Sequence, residues 1–137
     1  VIRDVRKAVG IPVIANGDIF SAEDAGHILR YTGCDLAMIG RGSFGDPWIF
    51  ERSNAMLEGR PVPIRPPLAD RIELAVRQTE MYAEKFGERL ACLEARHQIP
   101  WYLRGVAYAG YYKQQLVHVE TLEELRRITK GIKRDLI

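Results

Sequence analysis

The chain has 137 residues, with 20 lysines and arginines against 18 acids, a formal net charge of +2, and 47% apolar residues. That suffices for one ordinary domain, and the near balance of charge excludes a strongly polycationic or polyanionic protein. Cys34 and Cys92 lie in separate segments without CxxC spacing, and His27, His97 and His118 form no HxxxH or HExxH pattern. Reduced, partly buried thiols and no metal centre are therefore expected.

Val1–Val9 reads as the inside of an amphipathic helix with Ile2, Val5 and Val9 on one stripe, ended by Gly10. No Met start, signal peptide or long apolar stretch precedes it, so the chain is expected to be the C-terminal part of a longer cytoplasmic protein without a membrane span. Ile11-Pro-Val-Ile-Ala15 is a short apolar run of the kind that forms a buried parallel strand. Ser21-Ala-Glu-Asp24 then resembles an N-cap with acids in the first turn. Ala25, Ile28, Leu29 and Tyr31 supply a helical apolar face that Gly33 closes, and Cys34–Ile39 reads as the second strand. Asp46-Pro47 reads as the cap and first residue of another helix, which reaches about Leu57 and stops at Gly59.

Residues 60–67 hold four prolines in eight positions, an extended linker that divides residues 1–59 from residues 68–137. Beyond it, Ile72, Ala75, Val76, Thr79, Tyr82, Ala83 and Phe86 keep helical spacing until Gly87. Leu90–Arg104 reads as a second helix. Pro100 inside it costs about 3 kcal/mol through a lost hydrogen bond and a clash, so a kink or a fresh start near Ile99 is expected. Thr121-Leu-Glu-Glu124 is a capping box for the last helix, whose stripe is Leu122, Leu125, Ile128, Ile132 and Leu136. Residues 60–137 carry fourteen lysines and arginines against ten acids, and residues 1–59 six against eight. The surplus fits either a solvated helical surface or an RNA-contacting face.

Two short glycine loops stand one βα unit apart: Asn16-Gly17-Asp18 after the first strand, and Gly40-Arg41-Gly42 after the second. Without a Cβ, backbone N–H groups approach an anion closely, and in (β/α)8 barrels the loops after strands seven and eight commonly form such a phosphate site. At this spacing the expected ligand is a phosphate group, that of a flavin. Simple turn chemistry is the other reading of the same glycines.

Ile11-Pro-Val-Ile-Ala-Asn-Gly-Asp18, Gly33-Cys-Asp-Leu-Ala-Met-Ile-Gly-Arg-Gly42 and Asp46-Pro-Trp-Ile-Phe50, with Arg96-His-Gln-Ile-Pro-Trp-Tyr-Leu-Arg-Gly105, resemble bacterial tRNA-dihydrouridine synthases. The resemblance covers essentially the whole chain. It implies an α/β plus all-α architecture: the last two βα units of a TIM barrel in residues 1–59, the linker 60–67, and a helical tRNA-binding bundle in residues 68–137. It also implies an FMN-dependent oxidoreductase that reduces uridine in tRNA to 5,6-dihydrouridine, with NADPH as the reductant. The flavin would pass hydride to C6 of the uracil while a cysteine protonates C5. Asn16, Gly17, Asp18, Gly40 and Arg41 would surround the FMN phosphate, and Arg96, Tyr102, Arg104 and Lys113 would meet tRNA. Neither Cys34 nor Cys92 matches the family's catalytic cysteine, which would lie upstream of Val1, so the chain alone is expected to be inactive.

Trp101 reads as a core residue, Tyr108, Tyr111 and Tyr112 as packing or stacking residues, and Lys130, Lys133 and Arg134 as a widening of the basic patch. His97 and Gln98 stand where the family often has lysine and histidine, and Pro100 where a small helix former is usual, so no role carries over to them. Two further readings share the loops. One is an FMN barrel oxidoreductase of the dihydroorotate dehydrogenase kind, which leaves the helical extension unexplained. The other is a non-catalytic RNA-binding helical module. A monomeric full-length protein, and self-association of the isolated piece through exposed barrel edges, complete the expectations.

Overall fold

Seven helices and two parallel strands form over residues 1–137, all of which the computed structural model describes. They fall into two units, Val1–Arg65 and Pro66–Ile137.

The first unit contains α1 (Ile2–Ala8), β1 (Ile14–Asn16), α2 (Ala22–Thr32), β2 (Leu36–Met38) and α3 (Ile49–Leu57). Each strand is shorter than the apolar run that announces it. They pair in parallel, Ile14 opposite Leu36, Ala15 opposite Ala37 and Asn16 opposite Met38, with α2 as the crossover. Side chains alternate between the two faces of a strand. Ala15 is fully buried, whereas Ile14, Leu36 and Met38 are 50–58% exposed on an uncovered apolar face. Asp35, just before β2, ties the start of β1 in place: its carboxylate accepts from the Val13 N–H at 2.8 Å and from Arg6 at 3.2 Å.

The caps of α2 follow the sequence. Ser21 Oγ accepts from the Asp24 N–H at 3.0 Å, and Gly33 takes a left-handed φ of 71° to close the helix. The start of α3 differs from expectation. Asp46 does not cap it; the helix begins at Ile49, and the Asp46 carboxylate is held by both terminal nitrogens of Arg52, at 3.1 and 2.6 Å. A bidentate, charge-assisted pair outcompetes a single capping bond. α1 ends at Ala8, one residue short of the expected end; Val9 is extended beyond it, so only Ile2 and Val5 of the expected stripe lie on the helix, and no residue of that helix is buried.

The second unit is entirely helical: α4 (Leu68–Phe86), α5 (Glu88–Tyr102), α6 (Gly110–Leu116) and α7 (Leu122–Asp135). α4 packs against α5 and α7, and α6 lies against α5 and α7. Ile72, Ile99, Leu103, Leu116, Val119, Leu125 and Ile132 form the fully buried core. Only Gly87 separates α4 from α5, at a φ of 88° that an L side chain rarely adopts. Thr121 Oγ1 accepts from the Glu124 N–H at 3.1 Å to start α7, which is fastened to α4 by Arg126 on Glu80 and Lys133 on Glu73.

Pro100 neither breaks α5 nor starts a new helix; α5 runs through it and ends at Tyr102, two residues before the expected end. The proline lies in the last turn, and tighter bonds from the Leu103 N–H to the Pro100 carbonyl and from the Arg104 N–H to the Trp101 carbonyl close the helix just beyond. α6 is a separate short helix that the pattern of apolar residues does not announce.

The Tyr112 hydroxyl of α6 donates to Asp135 at the end of α7, and Arg134 lies on the same carboxylate. These partners, Arg134 first, hold Asp135 down to about 2 from its ordinary 3.8, while the same carboxylate pushes the Tyr112 phenol up. A depressed carboxylate stabilises the fold above its unfolded value and loses that contribution as pH falls through the folded one. The denaturation midpoint of the chain should therefore drop between pH 4 and pH 2, and Asp135→Asn should flatten that drop; urea titrations across this range check it.

Candidate functional site

Parallel pairing in this register brings the carboxyl ends of β1 and β2 side by side, so the segment after each strand faces the other. Between them lies a cavity of about 420 Å3 lined by Asn16, Gly17, Asp18, Ile19, Phe20, Gly40, Arg41 and Gly42. The structure thus brings together all five residues expected at the phosphate, Asn16, Gly17, Asp18, Gly40 and Arg41. It adds Gly42, whose role the spacing alone did not single out: a Cβ there would stand 1.9 Å from the Ile19 carbonyl oxygen.

Each loop is braced from within. Ile19 is buried, and the Phe20 N–H donates to Asp24, whose own N–H donates to the Ser21 hydroxyl. The Phe20 N–H, then the Ser21 hydroxyl, hold the Asp24 carboxyl below its usual range. The second loop is one 3-10 turn over Arg41–Ser43, with the Ser43 N–H and hydroxyl both donating to the Gly40 carbonyl. The N–H groups of Asp18, Ile19 and Gly40 make no hydrogen bond within the protein. Arg41 donates to Asp18 Oδ1 at 2.8 Å, joining two residues of the cavity lining, and Asp18 sits at a left-handed φ of 38°.

The residues expected at tRNA part company. Arg104 is exposed and Lys113 half-buried. Arg96 is partly buried, and its Nε donates to the Val119 carbonyl at 2.8 Å, which ties α5 to the segment before α7. Tyr102, expected on the surface, is 3% exposed, and its hydroxyl donates to Gln78 of α4 at 2.8 Å. Trp101, expected in the core, is 39% exposed. Adjacent helical residues point about 100° apart, so only one of the two can face α4. The signal that decides is in the chain: Cys92, Ala95, Ile99 and Tyr102 are spaced three and four residues apart and are all buried. Sequence reasoning also missed the Asp46–Arg52 pair, which Arg65 joins with its Nε at 3.8 Å from Asp46.

Both cysteines are buried and free, and burial pushes the Cys92 thiol up. No group of three or more His, Cys, Asp and Glu is placed to hold a metal ion, and no helix is long and apolar enough to cross a membrane.

A parallel βαβ unit with a polar cavity at its strand ends makes the first unit an α/β fold. Residues 1–135 match the family model for dihydrouridine synthase (Dus), and the chain belongs to that family. The chain is 40% identical over 115 residues to a probable tRNA-dihydrouridine synthase of Mycobacterium leprae, covering 84% of this chain and 30% of that protein. It is 35% identical over 113 residues to tRNA-dihydrouridine synthase B of Pasteurella multocida, covering 82% and 34%. A probable tRNA-dihydrouridine synthase of Aquifex aeolicus is 31% identical over 137 residues, covering 99% and 42%. The resemblance carried by the glycine loops and the Arg96–Gly105 segment is borne out, and the chain spans about a third of the length of the curated relatives it matches.

Gly42→Ala must push the Ile19 carbonyl away and should destabilise the first unit by about 1–3 kcal/mol. Gly10→Ala, where a Cβ meets open space, is the neutral control; denaturant unfolding of the two variants checks the difference.

Proposed function

We propose that this chain is the C-terminal part of a flavin-dependent tRNA-dihydrouridine synthase, which reduces uridine in tRNA to 5,6-dihydrouridine in the cytoplasm. The observation that carries the reading is the cavity between two glycine loops in a chain of the dihydrouridine synthase family. On this reading residues 1–59 are the last two βα units of a (β/α)8 barrel. The apolar strand face of Ile14, Leu36 and Met38 then turns to the barrel interior, where strands outside the chain cover it. In the isolated piece the unpaired strand edges favour self-association.

The residues present fit the phosphate of FMN. Gly40 leaves open space where a side chain would stand, the N–H groups of Asp18, Ile19 and Gly40 are available as donors, and Arg41 is the cation in the lining. Such a nest of amides beside one guanidinium suits a phosphate monoester. FMN, when bound, supplies the hydride exchange between NADPH and the uracil ring. This chain's part is to fix the phosphate end: the loop amides bind it, Arg41 balances its charge, and Gly42 keeps the loops close enough to share it. The proton for C5 comes from a cysteine outside these residues. Cys34 and Cys92 are buried, and burial raises Cys92 away from the reactive thiolate range.

Residues 68–137, beyond the linker 60–67, are assigned to tRNA. Arg104 and Lys113 are the leading phosphate contacts, and Arg96 acts chiefly in holding the helices together.

Deleting the gene should remove dihydrouridine from at least one tRNA position, read by mass spectrometry of bulk tRNA. The parent gene should restore it, and a copy carrying Gly42→Ala should not. Unchanged dihydrouridine at every position would sink the reading. Affinity for tRNA should fall with salt, and Arg104→Ala should lower the slope of log affinity against log salt by about 1; filter binding at several salt concentrations checks this.

A further inference from the structure

The geometry points to Asp18 as a built-in competitor for the anion in the loop cavity, a residue that determines how tightly a phosphate is held and how readily it leaves. The inference rests on the reading of that cavity as a phosphate site. It goes further by giving one lining residue a role opposite to that of its neighbours.

An acid in the wall of an anion site repels the ligand unless a cation neutralises it. Asp18 lines the cavity, and the cation that neutralises it is Arg41, the same group that would balance a phosphate. One guanidinium therefore faces two claimants. The carboxylate is kept there at a conformational cost: φ at Asp18 is 38°, a left-handed geometry that asparagine and aspartate tolerate better than most L residues. Both side chains of the pair are more than 70% exposed, so water screens the bond and it opens easily. The cavity behind it is less yielding, because Gly42 presses on the Ile19 carbonyl and Ser43 braces Gly40. Anion entry thus exchanges a mobile side-chain partner while the amide frame stays put. Arg41 passes from Asp18 to the phosphate, and Asp18 turns to solvent. When the anion leaves, Asp18 takes the guanidinium back, so release leaves no unbalanced charge in the cavity.

The test titrates inorganic phosphate into the FMN-free full-length parent protein and into its Asp18→Asn, Arg41→Ala and double variants, following the amide NMR signals of Gly40 and Gly42, with circular dichroism verifying that each variant is folded. Asparagine keeps the side-chain shape and tolerates the left-handed backbone while removing the charge. Asp18→Asn should bind phosphate roughly three- to ten-fold tighter than the parent, and Arg41→Ala should bind it more weakly. The gain from Asp18→Asn should shrink in the Arg41→Ala background, since competition for the guanidinium is then gone. A merely structural Asp18 gives the opposite sign, because loosening the loop weakens binding. Unchanged or weaker binding by Asp18→Asn, with Arg41→Ala still weakened, overturns the competitor role and leaves the phosphate reading intact. No phosphate-dependent shift in any of the four proteins overturns both.

Discussion

The backbone of Gly42 lies against the carbonyl of Ile19, and this contact between two main chains is what makes one cavity out of two loops. It depends on the parallel register of β1 and β2, which sets both strand ends level. Register in turn depends on alternation. Sliding β1 by one residue would turn Ala15 out of the interior and drive Ile14 into a space sized for a methyl group. Asp35 reinforces the same alignment from the other end of the strands, by accepting the Val13 N–H. Cavity geometry and strand packing in the first unit are thus one constraint seen at two places.

In the second unit the charges do a different job. Several basic residues after residue 60 are engaged: Arg65 with Asp46, Arg96 with the Val119 carbonyl, Arg126 with Glu80, Lys133 with Glu73, Arg134 with Asp135. The pairs with Glu73, Glu80 and Asp135 are already netted out of the fourteen-against-ten count, so they localise the surplus on other side chains without reducing it. Individually such exposed pairs contribute at most about 1 kcal/mol, and the buried stripe of Leu125, Ile128 and Ile132 holds α7 down far more firmly.

What could be read from the sequence was whatever depends on a few neighbouring residues. Ser21 and Thr121 cap their helices because a hydroxyl reaches an N–H three residues on, and Gly33 and Gly87 end theirs because only glycine takes the required φ cheaply. The five loop residues at the cavity belong to the same class, since a strand end and a glycine suffice to place them. The failures share a cause as well. Asp46 abandons its capping role because Arg52 and Arg65 converge on it, and that convergence is tertiary. Tyr102 and Trp101 exchange places because the answer depends on which side of α5 meets α4. Pro100 is tolerated because the helix ends two residues later, and a single-residue cost says nothing about where a helix will end.

The spacing of the contacts around the loop cavity says where its information lies. Asp35 reaches Val13 across 22 residues and Arg41 reaches Asp18 across 23. Loop-closure entropy grows only slowly with length, so contacts at this separation cost little more than closer ones. The cavity is therefore written into one stretch of chain, residues 13–42, in which α2 alone sets the distance between the two loops.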